Sequence, residues 1–233
     1  SNMVWAFATA GVRADALYGT VAEAVERRGL RDFNPQALSN MVWAFSTADV
    51  LAYLPTNFTE TISTSLTNSP SLWTAAQLCQ LHQWQLCTSF SFPQQSLLPT
   101  CHREMCHAHM AAAPTHSSRL QDDVTHELAK LVDTATLQRE LIDQMTGYSV
   151  DLAFCLKHSC IAVEVDGPTH FMLPDSNGEH VPTGKTLLKR RLLTSAGWRV
   201  VSIPYFEWNA CNGNVHAQCT YLKRLLDFHP DFK

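Results

Sequence analysis

The first third of the chain carries apolar side chains at helical spacing, in two copies of one pattern. In the more regular copy the apolar stripe consists of Leu38, Met41, Val42 and Phe45. Apolar residues three and four positions apart lie on one face of a helix, and we expect Trp5 and Trp43, which stand beside Met and Phe, in the core. A second stripe within residues 14–28 predicts a partner helix that ends at Gly29.

The two copies are repeats with a period of 38 residues. Residues 1–7 read SNMVWAF and recur unchanged at 39–45. Periods of about 20–50 residues are typical of stacked helical hairpins, so residues 1–87 predict a fragment of an α-solenoid. We expect a degenerate third copy near residues 75–81, and further repeats upstream.

A different pattern begins at residue 148, where apolar and polar side chains alternate as in a half-buried strand. The runs 148–156 and 159–165 predict a β-hairpin that closes at Lys157-His158. In that register Asp151 lies opposite Glu164, Ala153 opposite Ala162 and Cys155 opposite Cys160. One face of the hairpin is then apolar, while the other carries Asp151, Glu164 and Asp166 among small neighbours.

Three carboxylates on one sheet face need an explanation, because like charges directly opposite each other destabilise a sheet. One explanation is a bound divalent cation, since oxygen ligands at this density suit Mg²⁺ or Mn²⁺. The other is a set of partner cations or backbone amides within the domain. The sequence leaves both explanations open for Asp151, Glu164 and Asp166.

The chain around the hairpin predicts an α/β domain. A helix begins near Ser118, where the sequence fits a capping box, and Glu127 lies off the apolar stripe of that helix. After the hairpin we expect a helix over about 185–196, a strand over 198–204 and a closing helix over about 215–228. A strand, a helix and a strand in this order predict a right-handed parallel crossover.

A proline-rich segment separates these two parts of the chain. We therefore divide the chain into helical repeats at 1–87, a linker with a connector helix at 88–117 and a small α/β domain at 118–233. The Cys and His residues within 101–109 superficially resemble a metal site. Because no second ligand pair follows nearby, a connector helix is the preferred interpretation.

Composition narrows the classes of function. The formal net charge is −4, and residues 1–150 carry 8 Lys and Arg against 13 Asp and Glu, which argues against a polycation that coats nucleic acid. From residue 151 onward the counts are 9 and 8, so nucleic acid would have to contact a local patch. Eight cysteines without a dense spacing pattern favour a reducing compartment, with Cys155 and Cys160 as thiols. No apolar run reaches about 18 residues, so we expect no membrane span.

Two parts of the sequence resemble known families. The motifs EVDGPTHF, TGKT, KRRLL, GW and IPY, within residues 164–205, resemble the RAP domain, the RNA-binding domain abundant in Apicomplexans. This resemblance covers roughly 118–228. The 38-residue units that contain Trp-Ala-Phe resemble octotricopeptide repeats, which often precede a RAP domain.

The RAP domain is similar in fold to the PD-(D/E)xK nucleases, especially the very-short-patch-repair-like branch. The resemblance implies a restriction-endonuclease-like α/β domain with metal ligands at Asp151 and Glu164 and a further carboxylate at Glu127. It also implies an acid–base or phosphate-binding role for His170. Asp166 stands where most such nucleases have the Lys that stabilises developing charge.

The resemblance implies an organellar RNA-binding protein that acts in mitochondria or, alternatively, chloroplasts, in rRNA or mRNA processing, stability, translation or ribosome function. One alternative is an endoribonuclease dependent on Mg²⁺ or Mn²⁺, in which Lys185 or Lys189 replaces the missing Lys. Another is a structural subunit of an organellar ribosome, with ribosomal proteins as partners. Asp166 favours binding, which needs no cofactor. The expected RNA contacts are Lys185, Lys189, Arg190, Arg191 and Arg199.

Overall fold

The computed structural model describes residues 1–115, 117–156, 159–174 and 178–226. The chain forms two compact units. The first, here the repeat unit, contains residues 1–113 and 172–192, and the second, here the sheet unit, contains residues 114–171 and 193–233. These are units of packing, and the domain boundaries expected at 87 and 117 stay predictions.

Helices build the N-terminal part of the repeat unit, as the apolar stripes predict. They are α1 (Asn2–Thr9), α2 (Asp15–Arg28), α3 (Pro35–Thr47), α4 (Phe58–Asn68), α5 (Ala75–Ser91) and α6 (Thr100–Ala111). Gly29 ends α2 with a φ of 76°, as expected. The helices expected near residues 75–81 and in the linker are confirmed by α5 and α6.

The core of the repeat unit forms where α3 packs between α1 and α5. Phe45 is fully buried and meets the ring of Tyr18 edge to face, with ring centroids 5.1 Å apart. The prediction of a core position is confirmed for Trp43, which is 6% exposed. Trp5 packs 6.4 Å from Trp43 between ring centroids but is 38% exposed, so it lies at the edge of the core.

Amide side chains join α3 to α5. The Nε2 of Gln77 donates to Oε1 of Gln36 at 3.1 Å, and the Nε2 of Gln80 donates to Oδ1 of Asn40 at 3.3 Å. Gln36 also donates to the same Asn40 oxygen at 2.8 Å. Asn40 and Gln77 are buried, and because buried amides need partners, these bonds favour one register of the two helices.

The sheet unit contains a four-stranded sheet of order β1-β2-β3-β4. The strands are β1 (Gln138–Ile142), β2 (Ser149–Leu156), β3 (Ser159–Asp166) and β4 (Arg199–Pro204). β1 and β2 are antiparallel, as are β2 and β3, whereas β3 and β4 are parallel. The fold class is confirmed as a helical N-terminal part followed by a small α/β domain, whereas the α-solenoid repeat architecture stays a prediction.

Helices accompany the strands along the chain. They are α7 (Arg119–Leu128), α8 (Gly184–Ser195), α9 (Tyr205–Ala210) and α10 (Val215–Leu225). Ser118 caps α7 by accepting from the backbone N–H of Gln121 at 3.1 Å. The return half of the expected capping box is not made, because the Gln121 amide donates to Glu140 and to the carbonyl of Asp151 instead.

The predicted hairpin register is confirmed. Ala153 pairs with Ala162 and Cys155 with Cys160, while Lys157-His158, where the hairpin was expected to close, lies outside the described residues. The apolar face packs against α7 and α10 and forms the core of the sheet unit. Its strand residues are Leu152, Phe154, Ile161, Val163 and Val165.

The expectation that Cys155 and Cys160 are thiols is wrong in this structure. Their sulfur atoms form a disulfide, and their Cα atoms are 4.0 Å apart. Direct opposition in an antiparallel pair brings two Cβ atoms within bonding reach of each other's sulfur. The register that the alternation predicts is therefore the physical cause of the bond.

Among the described residues, no helix has the length and apolar character to cross a membrane.

Helix α8 is mostly part of the repeat unit, where its first residue makes a close backbone contact. A Cβ on Gly184 would lie 1.8 Å from the carbonyl oxygen of Ala8 and 2.8 Å from Cγ2 of Thr47. Only glycine leaves room for this approach, because a backbone oxygen cannot move aside as a flexible side-chain end can.

Gly184→Ala is expected to lower the stability of the repeat unit by about 1–3 kcal/mol, because the new methyl group overlaps the Ala8 carbonyl. Urea unfolding followed by circular dichroism measures the change. The matched control is Gly19→Ala in α2, where nothing lies within 4 Å of the added Cβ. That variant should gain about 0.5–1 kcal/mol from helix propensity, and equal effects at the two positions would contradict the close contact.

Candidate functional site

The candidate site centres on the carboxylate of Asp166, whose side chain is 1% exposed at the end of β3. Its Oδ1 lies 2.6 Å from Nδ1 of His170, and its Oδ2 accepts from the hydroxyl of Ser202 at 2.5 Å. Both oxygens are therefore engaged. A carboxylate this deeply buried needs such donors, because burial without them disfavours the charged form.

Local backbone structure brings His170 back toward the strand that precedes it. Gly167 leaves β3, and residues Pro168–His170 form a single 3-10 turn, closed by the N–H of His170 donating to the carbonyl of Gly167 at 3.0 Å. The ring then meets Asp166 through Nδ1, with the side chain 38% exposed. A carboxylate on Nδ1 orients an imidazole so that its other nitrogen, Nε2, faces away from that carboxylate.

The other two acidic residues of the predicted face have different surroundings. Glu164 is 2% exposed and stands beside Ser202 in the parallel register of β3 and β4. Asp151 is half-buried, and its Oδ2 accepts from the backbone N–H of Val165 at 2.7 Å. Asp151 thus has a backbone amide as its partner, and Asp166 has a hydroxyl and an imidazole. These contacts agree with the second explanation given above, in which groups within the domain stabilise the carboxylates.

The contacts of Asp151 and Asp166 also bear on whether these carboxylates can bind a divalent cation. A metal on Asp166 would share carboxylate oxygens already bonded to His170 and Ser202, and one on Oδ2 of Asp151 would share an oxygen that accepts from the Val165 amide. Within the described ranges no group of three or more His, Cys, Asp or Glu residues is arranged to hold a metal ion. The present arrangement does not fit a cation, and a metal role for these residues stays a prediction.

Glu127, the weakest of the expected catalytic residues, is buried on α7. Its Oε1 lies 2.6 Å from the Nζ of Lys130, one helical turn further on, and its side chain is 8% exposed. The ammonium compensates the buried carboxylate, since removing one partner of such a pair is costly. An ion pair with Lys130, two residues beyond the end of α7, is the role that the contacts of Glu127 support.

Two of the arginines that we expect to contact RNA donate to helix ends in the structure, and their role in RNA binding stays a prediction. In the repeat unit, Arg191 donates to the carbonyl oxygens of Ser46 and Thr47 at the end of α3, and its Nη1 lies 3.8 Å from Asp49. In the sheet unit, Arg199 donates to the carbonyls of Leu225 and Leu226 at the end of α10 at 3.4 and 3.3 Å.

The last carbonyls of a helix lack intrahelical partners and carry partial negative charge, so a guanidinium is well suited to both positions. The other three residues that we expect to contact RNA lie on α8. Lys185 is exposed, and Lys189 and Arg190 are half-buried.

Ser202 is a member of the site that the sequence did not indicate. It stands on β4 and reaches Asp166 only because β4 pairs in parallel with β3, with Glu164 aligned to Ser202. The only signal in the sequence is the alternation within residues 199–204, which places Ser202 on the face opposite Val201 and Ile203.

Together these features define a small α/β domain with a buried acidic cluster and a half-exposed histidine. Residues 163–225, from β3 to the end of α10, match the family model of the RAP domain. The resemblance that the sequence motifs indicate is thereby confirmed for that segment. The similarity to octotricopeptide repeats and to the nuclease fold stays a prediction.

A curated relative carries the same domain name. An 82-residue stretch of the chain is 40% identical to the RAP domain-containing protein, chloroplastic, of Oryza sativa subsp. japonica. The match covers 35% of this chain and 12% of the relative. The chain therefore matches only a small part of the relative's length.

His170→Ala is expected to destabilise the sheet unit by about 1–3 kcal/mol, because Asp166 loses a charge-assisted hydrogen bond while it stays buried. Urea unfolding followed by tryptophan fluorescence measures the loss. His126→Ala is the control, since that side chain is 73% exposed on α7, and its effect should stay within about 0.5 kcal/mol. Equal effects would mean that the Asp166–His170 contact contributes nothing to folding.

Proposed function

We propose that this protein binds RNA in an organelle, a mitochondrion or a chloroplast. The observation that carries the proposal is the match of residues 163–225 to the RAP domain, a domain named for RNA binding. The relative from Oryza sativa is named as chloroplastic, which supports an organelle as the compartment. RNA processing, stability or translation is the process class that we infer for such a protein.

Helix α8 supplies the cations that we assign to the RNA backbone. Lys185 and Lys189 are four residues apart and therefore share a helix face, and Arg190 follows directly. Phosphate contacts of this kind supply most of the affinity for RNA and weaken as salt rises. Arg191 and Arg199 are left out of this set, because their guanidinium groups bind the carbonyls at the ends of α3 and α10.

Crosslinking in cells tests binding and compartment together. The full-length protein is crosslinked to RNA with ultraviolet light, purified under denaturing conditions, and the bound RNA is sequenced. Transcripts of an organellar genome are the expected result, and their origin separates mitochondrion from chloroplast. Recovery of nuclear transcripts alone, or of no RNA, would overturn the proposal.

The same assay tests the assignment to α8. The double variant Lys189→Glu, Arg190→Glu should lose most of the crosslinked RNA, because two phosphate-binding cations become anions. In vitro, the affinity of this variant for RNA should depend less steeply on salt. The slope of log K against log salt concentration should be smaller by about 0.7 for each phosphate of a single strand that is no longer neutralised. Arg27→Glu with Arg28→Glu, an adjacent exposed pair on α2, makes the same charge change elsewhere. An equal loss in both variants would remove α8 from the binding surface.

Cleavage is the alternative that the acidic cluster raises, and we propose binding without metal-dependent cleavage. The contacts of Asp151 and Asp166 support this, because each carboxylate has protein donors where a nuclease would place a cation. Incubation of bound transcript with Mn²⁺ should therefore give no new fragments on a sequencing gel. Fragments that appear with Mn²⁺ and disappear in Asp151→Ala would establish the nuclease instead.

A further inference from the structure

An open cleft lies in the sheet unit between α9 and α10, away from the acidic cluster. Its volume is about 730 Å³. Small side chains at Ala210 and Ala217 leave the space open, and Glu207, His216, Tyr221 and Arg224 bring polar groups to it. A few convergent polar groups in a cavity of about 300–1,000 Å³ are typical of a site for a small organic ligand.

Glu207 presents an acceptor to this cleft. Its Oε2 accepts from the hydroxyl of Tyr221 at 3.0 Å, which ties α9 to α10. Burial raises the pKa of Tyr221, and the hydrogen bond to Glu207 raises it further by a smaller amount. The phenol therefore keeps its proton and continues to donate to Glu207. Within the part of the chain that the structure describes, Oε1 of Glu207 accepts no hydrogen bond.

Arg224 presents donors at the same cleft. Its guanidinium carbon lies 5.6 Å from the centroid of the Tyr221 ring, a distance typical of a cation–π contact. None of the described hydrogen bonds or ion pairs uses its guanidinium. Lys223, the preceding residue on α10, is exposed and does not line the cleft. The cleft therefore combines a carboxylate acceptor, Glu207, with a guanidinium, Arg224, whose N–H groups can donate to an anionic ligand.

We propose that the cleft between α9 and α10 binds one unpaired guanine nucleotide of the RNA. This inference rests on the proposed RNA binding and names a subsite for it. Guanine is the RNA base with two adjacent N–H donors, N1–H and N2–H, on its Watson–Crick edge, and a carboxylate accepts such a pair. Arg224 binds the phosphate of the same nucleotide, and splayed single-stranded bases are the usual target of sequence-specific RNA recognition.

The exposed imidazole of His216 adds aromatic surface for the base, whereas Tyr221 is buried and acts through its contacts with Glu207 and Arg224. Adenine and cytosine present a single exocyclic amine to Glu207, and uracil presents a single ring N–H. Each leaves part of the half-buried Glu207 carboxylate without a donor, and a carboxylate oxygen that loses water on binding without gaining a donor is costly. The cleft should therefore select guanine through hydrogen bonding, whereas Arg224 adds affinity for any nucleotide.

The test uses fluorescence anisotropy with labelled uridine-rich RNA that contains one central guanosine, inosine or adenosine. The full chain should bind the guanosine RNA about ten-fold more tightly than the adenosine RNA, the value expected for one charge-assisted hydrogen bond. Inosine lacks the 2-amino group and should fall between the two.

Variants connect the preference to the cleft. Glu207→Gln keeps an oxygen for the Tyr221 hydroxyl but no longer accepts two N–H groups, so the guanosine preference should vanish while adenosine RNA binds as before. Asp123→Asn removes an exposed carboxylate on α7 and should leave the preference intact. Arg224→Ala should weaken all three RNAs equally and by more than Lys223→Ala.

The possible outcomes distinguish a failure of the guanine site from a failure of the proposed RNA binding. Equal affinity of the unaltered protein for guanosine and adenosine RNA would overturn the guanine site while RNA binding stands. A preference that survives Glu207→Gln would also overturn it, since the selection would then reside elsewhere. Failure of the unaltered protein to bind any of the three RNAs would overturn the proposed RNA binding itself.

Discussion

A carboxylate withdrawn from water has to find hydrogen-bond donors, and Asp166 finds them on two separate segments of the sheet unit. His170 comes from the turn directly after β3, and Ser202 comes from β4, which pairs with β3 only after the chain has passed through α8. The shape of the turn and the parallel register must both be correct before both bonds form. Asp166 thus connects local backbone structure to long-range strand pairing.

The donors around Asp166 and Asp151 show how buried carboxylates can be stabilised by the protein's own groups. Asp166 itself has two donors, from a residue in the turn after β3 and from a residue on β4. Cations elsewhere are also used internally, because Arg191 and Arg199 bind the ends of α3 and α10. A count of basic residues is therefore a poor guide to the number of cations that the proposed RNA binding can use.

The sequence predicts the structure well where a regular pattern extends over many consecutive residues. The alternation over β2 and β3 is regular enough to give the hairpin register and therefore the Cys155–Cys160 opposition. It missed β1, a strand of five residues in which Glu140 has a φ of 48° and the alternation is broken. It also missed Ser202, because a parallel register between distant strands leaves no local trace, and the helix-capping contacts of Arg191, which join residues far apart in the chain.

The two compact units are interleaved along the chain, since residues 172–192 pack with the repeats although they stand between β3 and β4. No single cut separates the units: a fragment that starts after residue 113 keeps α8 but lacks Ala8, Thr47 and the α3 carbonyls against which α8 packs. The sequence boundary of the RAP match is therefore not a boundary of folding. Transplanting residues 163–225 onto another protein would require a new surface for Gly184 and Arg191, which the N-terminal helices supply here.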